Sequence, residues 1–261
     1  MRINNIISYI KLFCKINFFK TLYFNFKMLR FKDACRFPCL FFGNVEFGPL
    51  SGEVRFDTPI KAGLFRWGVE YDGFTPSKMP SKFSLSENAI LQIGGRTDIG
   101  CGSVFRIIGH IILSNNSFIG SRSVVACSKK IFLGTNSRIA FGSILMDTNH
   151  HFIVSNNSVH PKEGTIKIGD FCWIGNNTTI AKGCILPNNT IVAAKSFVAK
   201  NYTDYGENCL LAGSPAKIKQ NGISRLYNRQ IEEAIQNYFD LNEEENCYYL
   251  SQEELKKINI L

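Results

Sequence analysis

The sequence predicts an all-β solenoid, a parallel β-helix with helical appendages, on three observations. Aliphatic residues recur every six positions at Ile168, Ile174, Ile180, Leu186, Val192 and Val198. An earlier stretch repeats the spacing in trios: Ile93, Ile99, Phe105; Leu113, Ile119, Val125; Leu133, Ile139, Leu145. Steps of six run inside each trio and steps of eight join one trio to the next. After Leu145 the period stops, and it resumes 23 residues later at Ile168. A period of six suits neither an amphipathic helix nor a simple alternating strand. It suits a short strand followed by a tight corner, repeated and stacked on itself.

Each aliphatic mark is expected to point into the coil. Gly169, Gly175, Ala181 and Ala193 follow four of the marks, where a small residue lets the backbone turn without a Cβ clash. Cys172, Thr178, Cys184, Thr190 and Ser196 hold the short fifth position of a hexad. Three hexads close one triangular coil, so the extra pair of residues recurs at one corner. The interruption at 146–167 falls at that same corner and reads as a loop projecting from an established edge. It carries three of the four histidines, His150, His151 and His160. Leu85, eight residues before Ile93, hints at a partial coil upstream.

The expected organisation is a leader and capping region over residues 1–84, the β-helix over 85–220 and a helical extension over 221–261. In the first region Ile3, Ile6, Ile7, Ile10, Phe13 and Cys14 have helical spacing, followed by the aromatic residues Phe18, Phe19, Tyr23, Phe24 and Phe26. Lysines interrupt the apolar run too often for a membrane span, and no small-residue cleavage site marks a signal peptide. Two roles fit residues 1–30: lying on an anionic membrane surface, or packing across the open end of the solenoid to hide strand edges. Residues 31–84 show strand-like pieces at 45–47 and 53–56 but no clear repeat. In the third region Ile223, Leu226, Tyr227, Ile231, Ala234, Ile235, Tyr238 and Phe239 form an apolar stripe. Ser251 with Glu254 has capping-box spacing.

The net charge of +9 is uneven. The first 32 residues hold seven bases and no acid, whereas residues 222–261 hold eight acids against four bases. No nucleic-acid-binding pattern accompanies the excess of bases, so nucleic acid is not an expected partner. The nine cysteines form no CxxC pair, and several fall at inward or corner positions. They are expected to be reduced core residues in a reducing, cytoplasmic compartment.

Four segments together resemble the left-handed β-helix, hexapeptide-repeat acyltransferases: IGGRTDIGCGSV (93–104), ILMDTNHHF (144–152), IKIGDFCWIGNNTTIAKGCILPNNTIVAAKSFV (166–198) and LAGSPAK (211–217). The likeness is greatest to bacterial polysaccharide and sugar O-acetyltransferases, with maltose and xenobiotic acetyltransferases as relatives. It implies a left-handed coil, a homotrimer, active sites between subunits and acetyl-CoA as co-substrate, with no metal.

A sugar hydroxyl attacking a thioester needs a general base, and imidazole suits that work near neutral pH. His150 is the favoured base and His151 the alternative, with Asp147 or Asn149 orienting the ring. The resemblance places Trp173 beside the thioester and lines the pantetheine groove with Gly175, Ala193 and Ala194. It assigns Gly213, Ser214, Pro215, Ala216 and Lys217 to the cofactor's far end, with Lys195, Lys217 and Lys219 as partners for its phosphates. Arg106 and Lys129 stand where small residues are usual. Other readings are N-acetylation of an amino sugar or a xenobiotic, and a non-catalytic trimeric scaffold. A zinc enzyme built on His110, His150 and His151 lacks its upstream signature.

Overall fold

Three parallel sheets wind around one axis, in a computed structural model that describes residues 15–73, 75–76 and 79–258. The first face contains β1 (Cys39–Phe41), β4 (Phe65–Val69), β7 (Thr97–Gly100), β10 (Ser117–Ile119), β13 (Arg138–Ile139), β18 (Trp173–Ile174), β21 (Ile191–Val192) and β23 (Cys209–Ala212). The second contains β2 (Val45–Leu50), β5 (Ser81–Leu85), β8 (Val104–Ile107), β11 (Val124–Cys127), β14 (Ile144–Met146), β19 (Thr179–Ala181) and β22 (Phe197–Val198). The third contains β3 (Glu53–Phe56), β6 (Ile90–Ile93), β9 (His110–Leu113), β12 (Lys130–Leu133), β17 (Ile166–Ile168) and β20 (Ile185–Leu186). The antiparallel strand β24 (Lys217–Asn221) closes the C-terminal end of the first face.

The six-residue marks become three ladders of inward side chains. On the first face Phe41, Trp67, Ile99, Ile119, Ile139, Ile174, Val192 and Leu211 stack in register. The second face stacks Phe47, Phe83, Phe105, Val125, Leu145, Ile180 and Val198. The third stacks Phe56, Ile93, Leu113, Leu133, Ile168 and Leu186. Burying one such side chain contributes about 1.5–3 kcal/mol, so the core is this repeated contact taken coil by coil.

The coil begins at Cys39, one full turn and one further face before the expected Leu85. Sequence periodicity misses that stretch because its inward positions are aromatic and its corners are long: residues 57–64 and 70–80 separate consecutive strands. Large rings fill the N-terminal coils, as in the edge-on contacts of Trp67 with Phe83 and Phe105 at 5.2 and 4.8 Å. The open end is covered by α1 (Phe18–Met28), which Asn17 caps. Phe24 inserts against Phe41, Phe47 and Phe83. Thr21 and Asn25, both buried, bond the free edge of β1: the Phe41 N–H donates to Thr21 Oγ1 and the Cys39 N–H to Asn25 Oδ1. Such cover removes an edge that would otherwise pair with another chain. A short helix, α2 (Phe31–Ala34), follows. Ile3, Ile6, Ile7, Ile10, Phe13 and Cys14 lie outside the described residues.

The glycines after the inward marks have a different cause from the one expected. Gly169 and Gly175 do not have a positive φ; a Cβ there would meet the next coil, at 2.7 Å from the Asn188 nitrogen and 2.5 Å from the Ala194 nitrogen. The left-handed corner residues come two positions later, at Phe171, Asn177, Asn189 and Lys195. Close coil stacking, not turn conformation, selects those glycines. The short fifth positions, from Cys172 to Ser196, are buried corner fillers. Burial pushes the Cys172 and Cys184 thiols up to about 12, so at neutral pH they are protonated, unreactive packing groups.

Residues 224–261 form a separate compact unit. Its helix α3 (Arg229–Leu241) starts later than the stripe from Ile223 suggests, because the Asn228 side chain accepts from the N–H groups of Gln230 and Ile231 and sets the start there. Helix α4 (Gln252–Lys257) has the Ser251–Glu254 capping box. No helix among the described residues is long and apolar enough to cross a membrane.

Gly134 and Gly183 separate the two glycine roles. A Cβ on Gly134 would lie 2.4 Å from the Gly169 carbonyl oxygen, whereas Gly183 has φ +76° and open space around it. Gly134→Ala is expected to lower unfolding free energy by about 2–3 kcal/mol through forced separation of coils. Gly183→Ala should cost about 1 kcal/mol. Urea denaturation of the two variants checks the order.

Candidate active site

The histidine-bearing arm leaves the coil where the second face turns into the third. One coil earlier, the same corner holds the extra residues Ser128 and Lys129 that lengthen the repeat from six to eight. Those residues turn their N–H groups toward Asp147, whose carboxylate is fully buried. Ser128 donates to Oδ1 at 2.7 Å, and Lys129 and Lys130 donate to Oδ2, each at 2.8 Å. Three convergent amides satisfy the buried charge, and charge-assisted bonds of this kind are about twice as strong as neutral ones. Asp147 therefore fixes the base of the arm; its carboxylate is engaged there and not in orienting an imidazole. Lys129, out of place by the hexad pattern, is one of the inserted residues that build the clamp.

The arm is a braced hairpin. The Gly164 N–H donates to the Asp147 carbonyl at 2.9 Å, Thr148 bridges to Glu163, and the Asn149 N–H donates to the Lys162 carbonyl at 2.8 Å. His150 is exposed, with φ +62°, and its N–H donates to the buried Thr148 Oγ1 at 3.0 Å. Left-handed backbone is uncommon for a side-chain-bearing residue but several-fold enriched for His and Asn. His151 follows, also exposed. Beyond it, β15 (Val154–Ser155) and β16 (Ser158–Val159) pair across Asn156 and Asn157, both left-handed, a two-residue primed turn. Phe152, Ile153, Val154 and Val159 are 55–71 % exposed. An isolated two-stranded hairpin is marginal in water, so its bare apolar side chains suit a surface that another molecule covers.

The predicted cofactor residues gather at a different corner. Gly175, Ala193, Ala194 and Lys195 occupy the turns from first to second face in two successive coils; the Lys195 N–H donates to the Asn176 carbonyl at 2.9 Å. Gly213 lies over the later of these, its N–H donating to Ser196 Oγ at 3.1 Å and its carbonyl accepting from the Phe197 N–H at 3.0 Å. Ser214 and Pro215 are exposed and joined by a cis peptide bond, Ala216 is buried, and Lys217 opens β24. Ala194, Lys195, Gly213, Lys217 and Lys219 are exposed. Small side chains thus stack at this corner over successive coils, with Lys195 on the corner and Lys217 and Lys219 on the adjoining β24.

Trp173 stands on the outer side of the first face, 42 % exposed, in register with Arg138 and Ile191. Above Arg138 the same outward column holds Phe118, Asp98 and Arg66, with an Arg66–Asp98 ion pair. Arg106 is exposed on the second face. Within one chain, the arm and the small-residue corner lie at opposite ends of the three-residue second-face strands β14 and β19, about 10 Å apart at strand rise.

His110 opens the third-face strand β9 at the same corner, two coils before the arm, in register with Lys130; its Nε2 lies 2.8 Å from Gln92 Oε1. Burial, then the positive charges of Lys130 and Arg55, hold its pKa below the usual imidazole value. His110, His150 and His151 do not converge, and among the described residues no three His, Cys, Asp or Glu side chains group as metal ligands.

No family model matches the sequence. Among solved structures, the chain is similar to the polySia-specific acetyltransferase NeuO at 17 % identity and a TM-score of 0.46, over 81 % of this chain and 91 % of that one. It is similar to the polysialic acid O-acetyltransferase OatWY at 19 % identity and TM-score 0.43, over 77 % and 98 %. The N-acyltransferase AntD from Bacillus cereus, in complex with dTDP and 3-hydroxybutyryl-CoA, gives 11 % and 0.44, over 79 % and 89 %.

Asp147→Ala leaves the half-buried amides of Ser128, Lys129 and Lys130 without their acceptor. It is expected to lower stability by about 3–5 kcal/mol and to expose the arm to proteolysis between Phe152 and Val159. Denaturant titration and limited proteolysis measure the two effects.

Proposed function

We propose that the chain is an acetyl-CoA-dependent O-acetyltransferase acting on a sugar hydroxyl in surface polysaccharide biosynthesis. It works as a homotrimer, cytoplasmic and peripheral on the inner membrane face, with each site shared between two subunits. The observation that carries this reading is the pair of exposed histidines on a clamped arm, together with a small-residue track at another corner of the coil. One subunit's arm laid against its neighbour's track would complete the site and cover the arm's bare apolar residues.

Acetyl-CoA suits that track. Ala193, Ala194 and Gly213 put little side chain over the main chain, so an extended pantetheine arm has room to bond with it. Lys195, Lys217 and Lys219 supply charge for its phosphates. His150 accepts the sugar hydroxyl's proton at an imidazole nitrogen as the oxygen attacks the thioester carbon. The tetrahedral intermediate collapses with cleavage of the C–S bond, and the imidazolium returns the proton to the departing sulfur. A main-chain N–H of the adjoining coil is the expected oxyanion donor. Asn149 is left as the candidate to orient the ring, since Asp147 is committed to the clamp. Trp173 of one subunit flanks the thioester. An amine acceptor, in an amino sugar or xenobiotic, would use the same base.

Calorimetric titration with acetyl-CoA should give micromolar binding at about one site per chain, weakened when the 3′-phosphate is absent. His150→Ala should lower turnover by about 10²–10⁴-fold with cofactor affinity unchanged. Full activity in that variant moves the base to His151, and full activity in the double variant contradicts the mechanism. No binding of acetyl-CoA up to millimolar concentration moves the function toward a scaffold or a different acyl donor.

A further inference from the structure

We infer that α1 is a membrane-docking helix whose outward face inserts among anionic phospholipid headgroups. The inference deepens the membrane-peripheral part of the proposed function and does not depend on its catalytic part.

The helix has two apolar faces where a capping helix needs one. Thr21, Phe24 and Asn25 serve the coil end and are buried. On the other side Phe18, Phe19, Leu22, Tyr23 and Phe26 are 37–81 % exposed, and Phe31, just beyond, is 76 % exposed. Phe19, Leu22, Tyr23, Phe26 and Lys27 line a shallow groove between them. At 100° per residue, Phe18 to Tyr23 span one continuous outward arc, and Lys20 and Lys27 lie together along its edge. Arg30 and Lys32 follow in the chain, both exposed; none of these four bases is ion-paired among the described residues, and Lys20 lies over the Phe47 ring at 5.2 Å.

Charge selects the occupant. Aromatic rings flanked by cations that have no acidic partner match the bilayer interface, where rings settle at headgroup depth and lysines reach anionic phosphates. A second copy docking through the same face would bring two sets of these cations together across an apolar seam, and like charges there are repulsive. The helix is anchored to the coil by Phe24 and by the bonds to β1, so it is presented already formed, without the ordering cost of a peptide that folds on contact.

Flotation of the full-length protein with vesicles tests this. Wild type is expected to partition about tenfold more strongly to phosphatidylcholine vesicles with about a third phosphatidylglycerol than to pure phosphatidylcholine. Phe19→Ser with Phe26→Ser, and separately Lys27→Glu with Arg30→Glu, should each reduce anionic-vesicle binding by about tenfold. Circular dichroism and acetyl-CoA affinity should not change, which keeps a failure here distinct from a failure of the transferase reading. Undiminished binding by both folded variants overturns the inference. So does a wild type that ignores vesicles, and a change of oligomer size in the serine variant would assign the face to a contact between copies.

Discussion

The arm's position depends on one buried carboxylate. Asp147 sits where a stacked coil gives way to an 18-residue excursion ending at Gly164, and three main-chain amides of the coil below converge on its two oxygens. Without that clamp, the excursion would be joined to the solenoid by ordinary loop contacts. With it, the stem that carries His150 is continuous with a rigid sheet corner. A positioned base is worth far more to catalysis than a mobile one, because orientation is supplied before the reaction begins. The eight-residue corner and the histidine arm are thus one device: the inserted pair in one coil supplies the donors that hold the next coil's departure.

The solenoid itself is graded along its axis. Aromatic rings fill the first coils and aliphatic side chains the later ones, where glycines permit tight stacking. The aromatic N-terminal end requires a cap, and α1 supplies it through Phe24 and through hydrogen bonds that occupy the edge of β1. The C-terminal end closes differently, by the antiparallel return of β24. Between these ends the faces differ in character: the second carries the arm at one corner and the small-residue track at the other, so the chemistry proposed for the chain belongs to the edges of a single face.

Much of this was legible in the sequence wherever spacing was regular. The hexads from Ile93 to Val198 located the inward ladders, and the 23-residue gap located the arm. The N-terminal coils were not legible, because Phe41, Trp67 and Phe83 break the aliphatic pattern and long corners break the period. The role of Asp147 was also hidden. Its partners are backbone amides, which carry no side-chain signature; the sole trace in the sequence is the recurrent step of eight. Likewise Gly175 looked like a turn glycine and proved to be a stacking glycine, a distinction that depends on the neighbouring coil.

The central claim is that the base and the cofactor track of one site belong to different subunits, and complementation between inactive chains tests it most directly. His150→Ala lacks the base, and Ala194→Trp blocks the track. Each alone should be inactive. Trimers assembled from an equal mixture should recover about a quarter of the wild-type rate, since a site is intact only where a good arm meets a good track. A mixture as inactive as its components would place both halves of the site in one chain and contradict the account.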